Sequence, residues 1–299
     1  MPVRFESGSA VARLLPDGRR LHLQHGPIDL VIEAMGEREE VARAYGQAWD
    51  CFRDLLATLA AELPLIKAPL GARPPAAAGP VARRMVAASW PYRASFITPM
   101  AAVAGAVADE VLAALLAGRR LARAYVNDGG DIAFHLAPGE TLSAGVVAEV
   151  ASAELFGRML LASAMPVRGL ATSGRAGKGQ GGRSFSRGIA DSATVLARSG
   201  AAADAAATIV ANAVDLEHPA IRRRPACELD PESDLGALPV TVGLGPLEPA
   251  AIQEALANGE AKARELLARG LIEGAVLTLR GACRVVGDDG IRIAALHAA

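Results

Sequence analysis

Over residues 3–33 apolar and polar positions alternate with the period of two that sends successive side chains to opposite faces of a strand. A strand over 11–15 meets Pro16-Asp17-Gly18, a turn signal, and 20–24 reads as the returning strand. His25-Gly26-Pro27 breaks it, and 28–32 reads as a third. From Glu37 the period becomes helical. Val41, Tyr45, Trp49, Phe52, Leu56, Leu59 and Leu63 recur at helical spacing, predicting one helix that Pro64 ends. Its aromatic stripe reads as core.

Residues 64–80 are rich in Pro, Gly and Ala and read as a linker. A short helix over 81–89 follows, then a longer one from Pro99 to Leu116, with Gly118 as its C-terminal cap. Gly105 lies inside that helix, where glycine costs stability relative to alanine, so close approach of another backbone is expected there. Strands follow over 121–126, 132–136, 143–149 and 167–171, while 155–161 fits helix or strand. An alanine-rich helix begins near Gly200, a strand covers 238–244, and a third long helix runs from Pro249 to Arg269. Residues 275–279 and 283–286 close the pattern as a hairpin. This irregular order of strands and helices predicts an α+β fold, with mainly antiparallel sheets packed with long helices, in one domain over 1–299.

Composition narrows the function classes. A formal net charge of −1 leaves no global field to favour nucleic acid or an anionic membrane, and neither is expected as a partner. The N-terminus has no long apolar region of the secretory kind, and no stretch approaches ~18 uninterrupted apolar residues. Cys51, Cys227 and Cys283 are far apart and odd in number, which argues against a disulfide framework or a thiolate zinc site. A reducing cytoplasm is the expected location.

Chemistry-bearing residues concentrate between Gly169 and Val214. Thr172-Ser173-Gly174 ends a strand, and the loop from Gly174 to Gly188 holds six glycines and the cations Arg175, Lys178, Arg183 and Arg187. Exposed backbone N–H groups beside such cations suit an anion; a mobile surface loop explains them equally well. The match of 177–182 to GxGxxG is no dinucleotide fingerprint, because no helix opens directly after it and no βαβ unit surrounds it. Asp204 and Thr208, four apart, share a helix face close to a helix N-terminus that favours anions. A carboxylate with a hydroxyl suits Mg²⁺, which retains waters and completes its shell with phosphates; Asp204 as a charge complement to the helix is the plainer reading. Asn127-Asp128-Gly129-Gly130-Asp131 is either a hairpin turn or a loop whose glycines admit a ligand to the backbone. Arg222-Arg223-Arg224 reads as a solvated loop, with phosphate contact the alternative.

VNDGGDI (126–132), LATSG (170–174) and ADAAAT (203–208), in this order, resemble the GGD, TSG and ADxxxT motifs of the ApbE-type FAD:protein FMN transferases. VAGAVADEV (103–111) is similar to that family's AKGYAxDxV helix, matching Gly105 and Asp109. The resemblance covers residues 97–214 and implies an ApbE-like, T-fold-like architecture. It implies Mg²⁺ on Asp204 and Thr208, at the pyrophosphate of FAD. It further implies a flavin-nucleotide site lined by Asn127, Gly129, Gly130, Asp131, Thr172, Ser173 and Gly174. The cationic loop, through Lys178 and Arg183, is expected to assist in holding the phosphates. Asp131 or Asp191 is the candidate general base.

The chain departs from the family where chemistry is concerned. Ala104 stands in place of the family lysine, and 185–191 reads FSRGIAD where the family has HxxDPxTG. The expected function is therefore that of a Mg²⁺-dependent flavin-nucleotide protein, cleaving the FAD pyrophosphate or transferring FMN to an unspecified acceptor protein. The alternatives are a non-catalytic binder of flavin or another phosphorylated ligand, and a structural or assembly protein with a vestigial site. Homodimerisation is left open.

Overall fold

A computed structural model describes residues 4–7, 10–149, 154–174, 185–287 and 293–295. The N-terminal alternation forms four strands, β1 (Arg4–Ser7), β2 (Ala10–Leu14), β3 (Leu21–His25) and β4 (Ile28–Gly36). Helices α1 (Arg38–Phe52), α2 (Leu55–Ala61), α3 (Leu63–Ile66), α4 (Pro80–Ser89) and α5 (Val103–Leu116) follow. Then come β5 (Leu121–Asp128), β6 (Asp131–Leu136), β7 (Thr141–Glu149), β8 (Glu154–Ala162), β9 (Gly169–Ser173) and β10 (Ser192–Ala197). The rest is α6 (Gly200–Ala213), β11 (Ile221–Pro225), β12 (Pro239–Leu244), α7 (Pro249–Ala268), β13 (Gly274–Leu279), β14 (Ala282–Gly287) and β15 (Ile293–Ala295). The fold is α+β, and every strand register determined among the described residues is antiparallel.

The chain divides into two compact units that interleave in sequence. The first comprises Met1–Leu142, Ala162–Leu170 and Arg198–Asp204; the second comprises Ser143–Leu161, Ala171–Ala197 and Ala205–Ala299. The chain passes from first to second inside β7, inside β9 and inside α6.

In the first unit the strands follow the order β1-β2-β3-β4-β5-β6, and the beginning of β9 pairs with β6. Helix α5 packs on β5 and β6, with α1 and α4 against it. Pro99–Leu116 is long and apolar enough to cross a membrane by length and composition alone. It carries Asp109 and Glu110, and its Val107, Val111 and Leu115 are buried, as a core helix requires. In the second unit β10 pairs with β13 and β13 with β14, and α7 packs on β13 and β14. Strands β11 and β12 form a separate ribbon, and β8 pairs with β15 in a three-stranded sheet.

Three expectations are corrected. The helix over 37–63 is broken at Arg53 and Asp54, and Asp54 stands at the N-cap of α2, a position that favours aspartate. Pro64 terminates nothing: it sits in the first turn of α3, where a missing N–H costs no hydrogen bond, and Leu63 is left exposed. The three arginines lie on β11, not in a loop. Arg223 pairs with Asp215, and Arg224 is 3.0 Å from Glu228. The ambiguous stretch 155–161 resolves as β8.

Candidate functional site

The motif at 127–131 folds as a hairpin turn in the first unit. Gly129 (φ +63°) and Gly130 (φ +113°) take up backbone angles that L side chains rarely adopt, leaving Asp128 directly opposite Asp131 across the β5–β6 ladder. Asn127 Oδ1 accepts the Gly130 N–H at 2.8 Å, so this side chain is committed to the turn. No atom lies within 4 Å of a Cβ built on either glycine, so the turn is open on its outer side.

The second element is the crossing of α5 and α6, also within the first unit. A Cβ on Gly105 would lie 2.2 Å from the Gly200 carbonyl oxygen, inside any permitted contact, so only glycine allows the two backbones this approach. Gly169, at the start of β9, is equally constrained: its Cβ would lie 2.1 Å from the Ser199 carbonyl. At the crossing, Asp109 on α5 accepts the N–H groups of Gly200 (2.8 Å) and Ala201 (2.9 Å). Asp204 on α6 accepts the N–H groups of Gly105 (3.0 Å) and Ala104. Each helix thus supplies the carboxylate that satisfies the orphan donors of the other's first turn.

One expectation falls here. The N-terminus of α6 is not open to an external anion. Asp109 takes its first two N–H groups, Ser199 Oγ accepts the Ala202 N–H at 3.2 Å, and the Ser199 carbonyl accepts that of Ala203 at 3.1 Å.

The electrostatics are those of crowded carboxylates. Burial, and then the negative charge of Asp131, push Asp128 up to about 8, opposed by the Asp29 N–H donating to its carboxyl. Asp204 is raised well above the ordinary carboxylate value, first by desolvation and then by the charge of Asp131, with Asp128 adding to it. Asp109 is raised too, by burial, against the N–H groups it accepts. Asp128, Asp131 and Asp204 each retain some solvent-accessible surface, so the cluster is desolvated without being sealed. Two motifs 73 residues apart in sequence, at Asp131 and Asp204, therefore act on one another through like charge.

The remaining candidates lie elsewhere. Thr208 is one turn beyond Asp204 on α6 and is partly exposed. In the second unit the Thr172 hydroxyl is 2.8 Å from that of Thr194, and Gly174 (φ +122°) follows β9, beside the Ala190 carbonyl. Ser173 is the partly exposed last residue of β9. Asp191 Oδ2 accepts the backbone N–H of Arg280 at 2.5 Å, while its own N–H donates to the Thr278 carbonyl. The segment that departs from HxxDPxTG packs on the far end of α6. The Arg187 N–H donates to Asn212 Oδ1 at 2.9 Å, and the Ile189 N–H donates to the Val214 carbonyl. A Cβ on Gly188 would meet the Ala211 carbonyl at 2.2 Å. Lys178 and Arg183, with Arg175, lie outside the described residues.

From sequence, Asp128 is one of three alternatives, with Asn127 and Asp131, for meeting a ligand's polar edge, and Asp109 has no role. The signal for Asp128 lies in NDGGD itself: acids flanking a two-residue turn must face each other across the hairpin. Nothing in the sequence discloses that Asp109 caps a helix 91 residues away. No curated protein matches the chain. The family model described as AbpE bacteria matches residues 12–285, nearly the whole length, and the chain belongs to that family.

Proposed function

We propose that the protein is ApbE-like and binds a flavin nucleotide, FAD, together with Mg²⁺ on Asp204 and Thr208, acting on the pyrophosphate. The observation that carries this reading is the mutual electrostatic action of Asp128, Asp131 and Asp204 in desolvated surroundings, where a divalent cation would relieve their repulsion. The order of the GGD, TSG and ADxxxT motifs supports it.

The donor set suits a hard cation, being oxygen only: carboxylates, with the Thr208 hydroxyl on the same helix as Asp204. Among the described residues no three His, Cys, Asp or Glu side chains are grouped to hold a metal by themselves. Mg²⁺ on Asp204 and Thr208 would complete its shell with water and substrate phosphate, its usual mode. When bound it supplies charge stabilisation to the leaving phosphate. The N–H groups of Gly105 and Ala104 hold the Asp204 carboxylate in a fixed orientation. Cleavage breaks the P–O–P link of FAD to give AMP and FMN, the FMN going to water or to an acceptor hydroxyl.

A second reading is a binder that does not turn its ligand over. It is favoured by the packing role of 185–190 and by the commitment of Asp191 to the Arg280 N–H. Incubation with FAD and Mg²⁺, with chromatographic analysis for AMP and FMN alongside calorimetry, separates the cases. Products support the enzyme, saturable Mg²⁺-dependent binding without products supports the binder, and no affinity for FAD removes both in favour of an assembly role.

A further inference from the structure

The segment that departs from HxxDPxTG carries one side chain that its packing leaves unused. Within the second unit the backbone of Arg187 is fixed on both sides. Its N–H donates to Asn212 Oδ1 at 2.9 Å, and its carbonyl accepts the Thr241 hydroxyl at 3.3 Å. The neighbours are held as firmly. The Ser186 carbonyl accepts the Thr241 N–H at 2.9 Å, and a Cβ on Gly188 would lie 2.2 Å from the Ala211 carbonyl. Yet the Arg187 guanidinium, on a residue only partly exposed, has no hydrogen bond and no ion pair among the described residues.

Other partly exposed arginines find acceptors. Arg119 meets Glu40 at 3.0 Å, Arg223 meets Asp215, and Arg168 donates to the carbonyls of Ser163, Met165 and Val167. A guanidinium drawn partly out of water without such a partner costs free energy that an anionic ligand would recover. Beside Arg187, the Asn212 amide nitrogen likewise has no acceptor among the described residues. None of these nitrogens is sealed from solvent, so a ligand can reach them. Thr208 lies four residues before Asn212 on α6, on the same helix face and about 5–6 Å from it, and is also partly exposed.

A guanidinium fork on a rigid backbone, with a free amide beside it, is a donor set for an oxyanion, and phosphate meets such a fork with two parallel hydrogen bonds. We infer that Arg187 and Asn212 are the diphosphate-recognition pair of this chain. The Arg187 guanidinium takes the oxygens of a phosphate held at Thr208, and the Asn212 amide donates to the same group. The inference deepens the nucleotide reading and rests on it only for the position of that phosphate. It assigns to segment 185–190 a binding task besides its packing on α6.

Calorimetry on the whole chain with Mg²⁺ present tests it, using FAD and inorganic pyrophosphate as separate probes. Both are expected to bind saturably, and at least about tenfold more weakly in Arg187→Gln and in Asn212→Asp. Asn212→Asp keeps an acceptor for the Arg187 N–H and exchanges the amide donor for a repelling charge. Because the Arg187 side chain bonds no described residue, Arg187→Gln should leave the Tm without ligand within about 2 °C. Pyrophosphate affinity that falls in the variants, without affinity for FAD, removes the flavin reading and leaves this inference standing. The inference alone is overturned if whichever probe binds does so equally well in Arg187→Gln. It is equally overturned if that variant unfolds, since the guanidinium is then structural. Affinity for neither probe in the unmodified chain removes both.

Discussion

Asp109 and Asp204 cap each other's helices: Asp109, on α5, accepts the first N–H groups of α6, and Asp204, on α6, accepts those of Ala104 and Gly105 in α5. A capping side chain contributes about 1 kcal/mol, and here two act across one crossing that Gly105 and Gly200 keep close. The pair also fixes where the Asp204 carboxylate stands relative to the β5–β6 turn. Structural and functional readings of Asp204 are therefore compatible, since a carboxylate can accept two backbone donors and still offer lone pairs to a cation.

The crossing predicts opposite outcomes for two helical glycines. Gly46 in α1 has nothing within 4 Å of its built Cβ, so Gly46→Ala should stabilise by about 0.5–1 kcal/mol through helix propensity alone. Gly105→Ala gains the same propensity but places its Cβ against the Gly200 carbonyl and the Ala201 nitrogen, both backbone. A net loss of roughly 2 kcal/mol or more is expected, since α5 and α6 must separate. Thermal unfolding of the two variants side by side checks the sign.

Two substitutions at Asp204 separate capping from charge. Asp204→Asn keeps an acceptor for the Gly105 N–H and should cost under about 1 kcal/mol of stability. Asp204→Ala strands two donors and should cost about 1–3 kcal/mol. Both lack the negative charge, so Mg²⁺-dependent FAD affinity should fall at least about tenfold in both, equivalent to 1.4 kcal/mol. If affinity follows the stability order instead, with Asn nearly unchanged, the cation reading of Asp204 is wrong.

The carboxylates also set a pH dependence. Asp128 has an ordinary value of 3.8 and is held at about 8 in the folded chain, so between these values the folded state binds more protons than the unfolded. Stability from this group is therefore complete below about pH 4 and is lost as pH rises towards 8, and Asp204 adds in the same direction. Asp128→Asn, which resembles the protonated form, should flatten the fall in Tm between pH 5 and pH 8. Mg²⁺ should restore Tm at pH 8 in the unmodified chain more than in this variant.

The sequence disclosed local features and concealed non-local ones. The β2–β3 turn, the Gly129-Gly130 hairpin, the C-terminal hairpin and the long helices were legible because each is set by residues within a few positions. Gly105 was legible as a close approach because glycine inside a helix is otherwise a cost. The break at Asp54 was not, because the apolar stripe runs through it without a change of period. The α6 N-terminus looked free to bind an anion because its partner, Asp109, lies on a helix remote in sequence. Asp191 looked like a free acid for the same reason, its donor being the turn at Arg280.

That last contact yields a prediction that decides between two roles for Asp191. Arg280 has φ +50° and is followed by Gly281 at +79°, so the β13–β14 turn places a non-glycine residue in the left-handed region. The Asp191 carboxylate accepts the Arg280 N–H, and the Arg280 side chain reaches the carbonyls of Leu244 (2.9 Å) and Gly245 (3.1 Å). Asp191 thus holds a turn whose backbone is unfavourable by about 1 kcal/mol without support. Asp191→Ala should cost about 2 kcal/mol and Asp191→Asn about 1 kcal/mol, because the amide still accepts but without charge. FAD affinity and any AMP release should stay within about twofold in the Asn variant, a difference below 0.5 kcal/mol. A general base would behave in the reverse way, with stability intact and turnover lost by two or more orders of magnitude. Denaturant unfolding and product analysis on the same Asp191→Asn preparation therefore tell a strut from a base.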